Sequence, residues 1–330
     1  MKILVTGGAG YVGSVLVPAL LKKKHQVTVL DSFLFCSKSD LPVHSKLRLV
    51  KGDIRDKNLV CATLRNMDAV IHLAAISNDP SGDLDHALTK VINHDSTCTL
   101  VDAAAAAKIK RFINASSASV YGVSHELRVV ETLSLNPQTI YAETKATSEA
   151  YVLMLNSSDF VTVSVRPATL HGYAKRLRLD LTANIFTSQA IANQEIRVFG
   201  GAQYRPSLSV LDMVQFYLEL LEAPSTLVGG RTFNVVESNN TICEIAEIVR
   251  DAVDPNVSLI FVESQDQRSY TLNADLAKDI LNFRPHYRLA ESISHLAGIL
   301  RSWDSVRIGS ARFRNVEWLK KSPELLRFTK

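Results

Sequence analysis

The chain has 330 residues, of which 46% are hydrophobic and 21% are charged, a composition typical of globular proteins. Its length suits one large α/β domain with an appendage, or two domains. The formal net charge of +4 is mild and argues against nucleic acid as a partner. Because no apolar run approaches membrane-spanning length and the four scattered cysteines lack ligand spacing, we expect a soluble cytoplasmic protein with reduced, buried thiols, no membrane association and no metal site.

The first fourteen residues predict a dinucleotide site. Residues 3–6 have the pattern of a short buried strand, and residues 12–21 have that of an apolar helix. Between them the glycines follow a G-x-x-G-x-x-G spacing. Glycine permits a tight turn and a close backbone approach to a pyrophosphate, whose charge is attracted by the free N–H groups at the start of the helix. The cofactor contacts expected here are Gly7, Gly10, Tyr11, Val12 and Gly13.

A second predicted strand, residues 26–30, ends at Asp31, about twenty residues after the glycine turn. A carboxylate at this place accepts hydrogen bonds from the ribose hydroxyls of NAD and repels the 2′-phosphate of NADP, so NAD is the expected cofactor. A third strand, residues 47–51, is followed by Asp53 and Ile54, two further candidate cofactor contacts. Asp53 could hydrogen-bond the adenine edge or serve as an ordinary turn residue, and the pattern favours neither.

A fourth predicted strand, residues 69–73, ends in Leu73, Ala74 and Ala75, and the small alanines would let a cofactor pass close to the backbone. His72 is interpreted as a strand residue, because no His or Cys partners it at ligand spacing. The remaining elements of this half are helices over residues 84–107 and 141–155 and strands over 111–115 and 160–165. Strands that alternate with helices predict an α/β fold with a doubly wound, mostly parallel sheet of the Rossmann type.

The second half is less regular and predicts a smaller α/β domain for the substrate. Its expected elements are helices over residues 179–192, 210–221, 241–253, 274–281 and 289–302, and strands over 196–199 and 231–236. Thr241 and Glu244 have the spacing of a capping box. We expect a cofactor domain over residues 1–166 and a substrate domain over 167–330, with part of 208–236 returning to the first. From Arg307 onward the basic excess could be a docking tail, but it favours a solvated or frayed terminus.

Tyr141 and Lys145 stand four residues apart, so on a helix they share one face. An ammonium group beside a phenol lowers its pKa, because positive charge favours the phenolate. A phenolate can take the proton of a sugar hydroxyl while hydride leaves for nicotinamide. Ser117, at the end of the fifth strand, could hydrogen-bond the same oxygen. Together the three residues predict a site for alcohol–ketone chemistry.

At this point the sequence resembles the extended short-chain dehydrogenase/reductases, and more narrowly the NAD-dependent nucleotide-sugar epimerases and dehydratases. The resemblance extends to about Arg301 and rests on the segments TGGAGYVG, Asp31, Gly52-Asp53-Ile54, HLAA, ASSASVYG, YAETK and Arg166-Pro167. It implies that Ser117, Tyr141 and Lys145 form a catalytic triad and that Lys145 also binds the nicotinamide ribose. It further implies that the C-terminal half binds the diphosphate of a nucleotide sugar.

The resemblance also suggests substrate contacts. Residues 197–205 are similar to a family segment whose arginine binds the pyrophosphate, so Arg205 is the first candidate, Arg268 the second, and arginine's planar fork suits phosphate oxygens. The other candidates are Asn184 in the loop that meets the phosphates, and Asn78, Ser117 and Ser119 near the sugar. Asp79 could be an acid or base, although Asn-Asp-Pro is typical of a turn. Residues 175–181 resemble a variant found in enzymes of 4-keto sugars, GDP-heptoses included.

Two departures from the family pattern bear on the reaction. Family dehydratases carry an Asp-Glu pair where this chain has Ala118 and Ser119, and C3/C5 epimerases carry a cysteine at the latter, so neither reaction is favoured. We therefore expect an NAD-dependent C4 epimerase of nucleotide sugars, paired as a homodimer through helices 84–107 and 141–155. The alternatives are a nucleotide-sugar 4-dehydrogenase or 4-keto reductase, such as one for a GDP-heptose, a reductase of a non-sugar substrate, and a non-catalytic NAD-binding regulator.

Overall fold

The computed structural model describes residues 1–124, 126, 128–264 and 268–321. Its strands are β1 (Lys2–Thr6), β2 (Gln26–Asp31), β3 (Leu47–Lys51), β4 (Ala69–His72), β5 (Arg111–Ala115), β6 (Val161–Pro167), β7 (Thr169–His171), β8 (Glu195–Phe199), β9 (Tyr204–Ser209), β10 (Arg231–Val235), β11 (Ser238–Thr241) and β12 (Ser258–Val262).

The α-helices alternate with these strands through most of the chain. They are α1 (Gly13–Lys22), α2 (Lys57–Leu64), α3 (Asp79–Gly82), α4 (His86–Lys90), α5 (Ser96–Ala106), α6 (Ile140–Met154), α7 (Thr182–Asn193), α8 (Val210–Glu222), α9 (Ser225–Val228), α10 (Ile242–Val253), α11 (Asp275–Leu281), α12 (Leu289–Leu300), α13 (Ser305–Ile308) and α14 (Asn315–Lys321).

The central feature is a seven-stranded sheet in the order β10-β6-β5-β4-β1-β2-β3, in which every pairing is parallel. Its strands are apolar on both faces because helices cover both. Ile3 and Val5 of β1 belong to one hydrophobic core, whereas Leu4 between them belongs to the core on the opposite face. The predicted doubly wound α/β fold is thus confirmed, and the carboxyl ends of the strands meet along one edge, where such folds bind ligands.

The second half of the chain forms a smaller lobe. Two short sheets, β11-β9-β7 and β12-β8, lie with α7, α10 and α12 around a separate hydrophobic core. The chain returns to the large sheet at β10, which pairs in parallel with β6, while α8 contacts α1. The division into a cofactor domain and a substrate domain, with part of 208–236 returning to the first, stays a prediction.

Several boundaries differ from the sequence-based expectations. The single helix expected over 84–107 consists of α4, a π-helical turn (Val91–Asp95) and α5. Helix α7 begins at Thr182 and not at residue 179, because its N-cap Leu181 is extended and the N–H of Leu179 donates to the carbonyl of Phe313 (2.7 Å). Helix α2 and strands β7, β9, β11 and β12 were not predicted, since such short segments carry too little periodicity. The capping box of Thr241 and Glu244 is confirmed at α10.

The C-terminal segment is ordered as far as the structure describes it, so the frayed terminus expected from Arg307 is wrong for residues 307–321. Leu319 is buried, and the indole Nε1 of Trp318 donates to the carbonyl of Leu34 (2.8 Å). Apolar residues of this segment contact the first lobe, but its basic composition gave no indication of these contacts. Residues 322–330, the rest of the predicted tail, lie outside the described residues.

The prediction that the thiols are buried is wrong. Cys36, Cys61, Cys98 and Cys243 are all free, but Cys61 is exposed and the other three are half-buried. Among the helices that the structure describes, none is both long enough and apolar enough to cross a membrane.

Two buried histidines make stability depend on pH. His72 hydrogen-bonds the hydroxyls of Thr6 (2.6 Å) and Thr97 (2.8 Å), whereas neither ring nitrogen of His171 has a hydrogen-bond partner among the described residues. Burial lowers the pKa of each imidazole to about 3. Because the unfolded chain takes up a proton below about pH 6.5 and the folded protein does not, each histidine costs stability as the pH falls through this window, by about 1.4 kcal/mol per pH unit.

We therefore expect His171→Leu to flatten the acid dependence of the free energy of unfolding. The slope between pH 6 and pH 4 should fall by about 1.4 kcal/mol per pH unit, because one of the two buried imidazoles is removed. Urea denaturation at several pH values measures this slope, with the exposed His44→Leu as the matched control. Parallel curves for His171→Leu and the unmodified protein would contradict the prediction.

Candidate functional site

A deep cleft lies at the carboxyl edge of the large sheet, between the two lobes. Almost every residue singled out from the sequence lines it, although they come from segments throughout the chain. The predicted residues on its wall are Gly7, Gly10, Tyr11, Val12, Gly13, Asp31, Asp53, Ile54, Leu73, Ala74, Ala75, Asn78, Ser117, Ser119, Tyr141, Lys145, Arg205 and Arg268.

The glycine turn between β1 and α1 leaves no room for side chains. Gly7 has a φ of +68°, and a Cβ on it would lie 2.6 Å from the backbone nitrogen of Ala74. A Cβ on Gly13 would lie 2.4 Å from the carbonyl carbon of Gly8. The turn is therefore a backbone cradle at the N-terminus of α1, which suits the pyrophosphate of a dinucleotide. The residues present fit NAD at this place.

Asp31 stands at the end of β2, where the ribose of the cofactor is expected. Its carboxylate accepts hydrogen bonds from the N–H groups of Ala9 (2.9 Å) and Phe33 (2.8 Å), which orient it at the edge of the cleft. Burial raises its pKa, and these hydrogen bonds and the charge of Arg176 oppose the rise. Asp53 is engaged by Arg55 (2.7 Å), so its contact with adenine remains a prediction.

The three expected catalytic residues converge on one point of the cleft. Ser117 follows β5, and α6 places Tyr141 and Lys145 on the same face, one turn apart. Ser119 donates to the Ser117 oxygen from its hydroxyl (2.9 Å) and its N–H (3.2 Å). Ser117 in turn hydrogen-bonds Tyr141, an interaction that opposes the rise of the phenol's pKa. Side-chain hydrogen bonds thus link Ser119, Ser117 and Tyr141.

The electrostatics of Tyr141 differ from the sequence-based expectation. Burial raises the pKa of Tyr141 to about 12, and the groups that oppose this rise are Ser117 and Arg178, not Lys145. The ammonium group of Lys145 donates to the carbonyl of Ala115 (2.7 Å), and burial lowers its pKa to about 8. Desolvation is the largest cause of the pKa shift of both groups, so the expected effect of Lys145 on the phenol stays a prediction.

Arg205 and Arg268 come together on the far side of the cleft. The guanidinium of Arg205 donates to the backbone carbonyl of Arg268, and the Arg268 side chain forms an ion pair with Asp79. Asp79 also accepts a hydrogen bond from Thr139, the N-cap of α6. Asp79 therefore connects the helix that carries Tyr141 to the arginine wall, and its side chain is committed to these two partners.

Asn184 is the one predicted site residue that does not line the cleft. It is 1% exposed on α7, its amide oxygen accepts from the N–H of Gly172 (3.0 Å), and its amide nitrogen donates to the carbonyl of Arg178 (2.8 Å). These bonds hold the backbone of the second lobe. The placement of Asn184 against the phosphates is thus a correction, because its polar groups are already used within the protein.

Sequence reasoning missed several charged residues on the cleft wall. Arg176 and Arg178 come from the extended segment that precedes α7, and Asp180 forms an ion pair with Arg178 (2.9 Å). Asn315, near the end of the described chain, also lines the cleft. The run of basic residues at 175–178 was visible in the sequence, but nothing in its spacing indicated that two of these side chains would be buried.

The chain is similar to proteins of the same fold that catalyse several different reactions. Residues 3–235 match the model of the NAD dependent epimerase/dehydratase family. The UDP-glucose 4-epimerase of Mycolicibacterium smegmatis is 30% identical over 92% of this chain and 99% of its own. UDP-glucuronic acid decarboxylase 1 of Arabidopsis thaliana is 29% identical over 92% of this chain and 70% of its own. A dTDP-glucose 4,6-dehydratase from Streptomyces venezuelae, solved with NAD, is 25% identical over 91% of this chain and 97% of its own, with a TM-score of 0.82.

Proposed function

This chain belongs to the NAD-dependent epimerase/dehydratase family, and on that premise we propose that it is a nucleotide-sugar 4-epimerase. It is an enzyme with NAD as its cofactor, but its relatives epimerise, dehydrate or decarboxylate, so the reaction must be argued from the site. The hydrogen bonds that link Ser119, Ser117 and Tyr141 carry the proposal. They orient the phenol oxygen of Tyr141 for proton transfer with a sugar hydroxyl.

The other acids of the cleft support this reaction over dehydration. Removal of water needs a second acid and base near the sugar. Among the residues that the structure describes, the carboxylates that line the cleft are all aspartates, and each is engaged by protein donors: Asp31 by backbone N–H groups, Asp53 by Arg55, Asp79 by Arg268 and Asp180 by Arg178. Ala118 and Ser119, which follow Ser117, supply neither acid nor base. Tyr141 is the proposed proton carrier, and one proton carrier suffices for reversible oxidation at C4.

The chain's own residues then divide the work. Tyr141 removes the proton of the C4 hydroxyl and returns it after the ketone has been reduced from the other face. When substrate is bound, Ser117 turns its single hydroxyl proton to the C4 oxygen and stabilises it as its charge changes. When bound, NAD supplies reversible hydride transfer and a positively charged nicotinamide, a charge that opposes the raised pKa of Tyr141.

The diphosphate of the substrate is proposed to bind at Arg205 and Arg268, with Asn78 and Ser119 nearer the sugar. The two arginines are adjacent, and Asp79 holds Arg268 to the N-terminus of the catalytic helix. Planar guanidinium groups pair bidentately with phosphate oxygens, so this wall suits a nucleoside diphosphate. We also propose that the protein is a homodimer that pairs through helices α4, α5 and α6, where Val91 and Met154 remain exposed.

The proposal is tested with the purified protein and a panel of UDP-, GDP-, dTDP- and CDP-sugars. We expect interconversion of C4 epimers, followed by NMR, with enzyme-bound NAD recovered on heating and no accumulation of NADH. If NADH accumulated together with a 4-keto product, the enzyme would be a net dehydrogenase and not an epimerase. Absence of both turnover and nucleotide-sugar binding would instead favour the regulator or a non-sugar reductase.

A further inference from the structure

Arg176 carries a buried positive charge that no ion pair among the described residues neutralises, and the carboxylates of Asp180 and Asp31 interact with it only over a longer distance. Its side chain lines the cleft and is only 4% exposed. Of its five N–H groups, one donates to the carbonyl of Leu177 (3.1 Å) and one to the amide oxygen of Asn315 (2.5 Å). Among the residues that the structure describes, no carboxylate forms an ion pair with it, since Asp180 pairs with Arg178. A buried charge of this kind is costly unless a ligand supplies the opposite charge.

The position of Arg176 indicates which ligand this is. Its backbone N–H donates to the hydroxyl of Ser14 (3.3 Å), in the first turn of α1. Its guanidinium lies over the ring of Phe35, 5.1 Å from the centroid, in the loop that follows Asp31. The backbone of Arg176 is therefore held at the first turn of α1, whose unpaired N–H groups favour an anion, and its guanidinium lies beside the loop that follows Asp31.

Asn315 fixes this guanidinium from the C-terminal segment. Besides accepting from Arg176, Asn315 donates its backbone N–H to Asp180 (2.9 Å) and its amide to the hydroxyl of Ser77 (3.3 Å). The residue is 3% exposed. Its side-chain amide and its backbone N–H are thus engaged by residues of the cleft wall around Arg176.

The rest of this segment fastens to the loop after β2. We call residues 311–321 the C-terminal clasp. Arg312 forms an ion pair with Asp40 (2.6 Å), and the indole of Trp318 donates to the carbonyl of Leu34 (2.8 Å). The clasp therefore joins the second lobe to the loop that borders the expected adenosine site, across the mouth of the cleft.

We propose that Arg176 is the counter-charge of a bound diphosphate, that of the dinucleotide, and that the C-terminal clasp holds Arg176 and the β2 loop closed over it. The diphosphate of a nucleotide sugar has the same chemistry. Arg176 contacts Ser14 in the first turn of α1, Phe35 in the loop after β2 and Asn315 in the clasp, whereas the substrate wall is formed by Arg205 and Arg268. The dinucleotide is therefore the source that the position favours, and this inference depends only on NAD as cofactor, not on the reaction at C4.

Calorimetric titration with ADP-ribose, adenosine and UDP tests the proposal. For Arg176→Gln we expect the Kd of ADP-ribose to rise about tenfold to hundredfold, because a charged hydrogen-bonded contact is lost. The Kd of adenosine and of UDP should change less than about threefold. Asn315→Ala should raise the Kd of ADP-ribose by a smaller factor and speed the loss of NAD from the purified holoenzyme on dialysis. Arg176→Lys, which keeps the charge, should recover part of the affinity.

Arg197→Gln is the matched control, because Arg197 is an exposed arginine paired with Glu195 on β8. Circular dichroism and thermal melts establish that each variant is folded. An unchanged Kd for ADP-ribose in folded Arg176→Gln would overturn the proposal, and so would an equal loss of adenosine and ADP-ribose affinity. Weaker binding of UDP with unchanged ADP-ribose binding would assign Arg176 to the substrate and overturn the dinucleotide source.

Discussion

Tyr141→Phe is expected to lower kcat for C4 epimerisation by about 10²- to 10⁴-fold, the usual contribution of one general acid–base group. Phenylalanine keeps the ring against the wall of the cleft but removes the oxygen that accepts the proton. The hydrogen bond between Ser117 and the phenol oxygen is then lost. The loss should appear in kcat, while NAD stays bound, because the glycine turn and Asp31 are untouched. NMR of the C4 epimers and the NAD released on heating measure the two effects.

Tyr151→Phe is the control for this change. Tyr151 lies on the same helix α6, and its hydroxyl donates to Asp102 (3.0 Å) away from the cleft. Its loss should leave turnover within about twofold. If Tyr141→Phe turned over at the rate of the unmodified enzyme, Tyr141 would not be the base, and the proposed reaction would lose its proton carrier.

The second large effect is expected from Glu149→Ala, which should lower the free energy of unfolding by about 3–5 kcal/mol. Glu149 lies on α6 and is 3% exposed, and it accepts hydrogen bonds from the guanidinium of Arg166 at the end of β6. Arg166 is itself buried and also donates to the hydroxyl of Tyr121 (2.7 Å). Alanine would leave this guanidinium buried without its counter-charge. Urea denaturation measures the loss.

Two variants separate this effect from simple helix substitution. Glu143→Ala, on an exposed position of the same helix, should change stability by less than about 0.5 kcal/mol. The double variant Glu149→Leu with Arg166→Met should recover much of the loss, because replacing both charges removes the unpaired ion. Equal stability of Glu149→Ala and Glu143→Ala would contradict the prediction.

The sequence determined the large sheet and the cofactor end of the cleft. Each strand of the sheet except β10 lies in the first half, and the parallel order follows from alternating strands and helices. The glycine turn, Asp31 and Ser117 each follow a strand of this sheet, so the sequence pattern indicates that they lie at its carboxyl edge, where they and Tyr141 line the cleft. The periodicity that identifies an element also fixes which face is buried, so these predictions needed only local information.

Only the tertiary structure decided the rest of the site. The sequence pointed to Asn184, which is buried and used internally, and missed Arg176, whose charge is left for a ligand. It treated the segment from Arg307 as a frayed terminus, although Asn315 and Trp318 fasten that segment to the cleft. A local sequence pattern indicates helix, strand and burial, but it does not indicate which loops come into contact across more than a hundred residues of chain. Those contacts decide whether an arginine pairs with a carboxylate, an amide or a ligand, and the packing of the two lobes determines which contacts form.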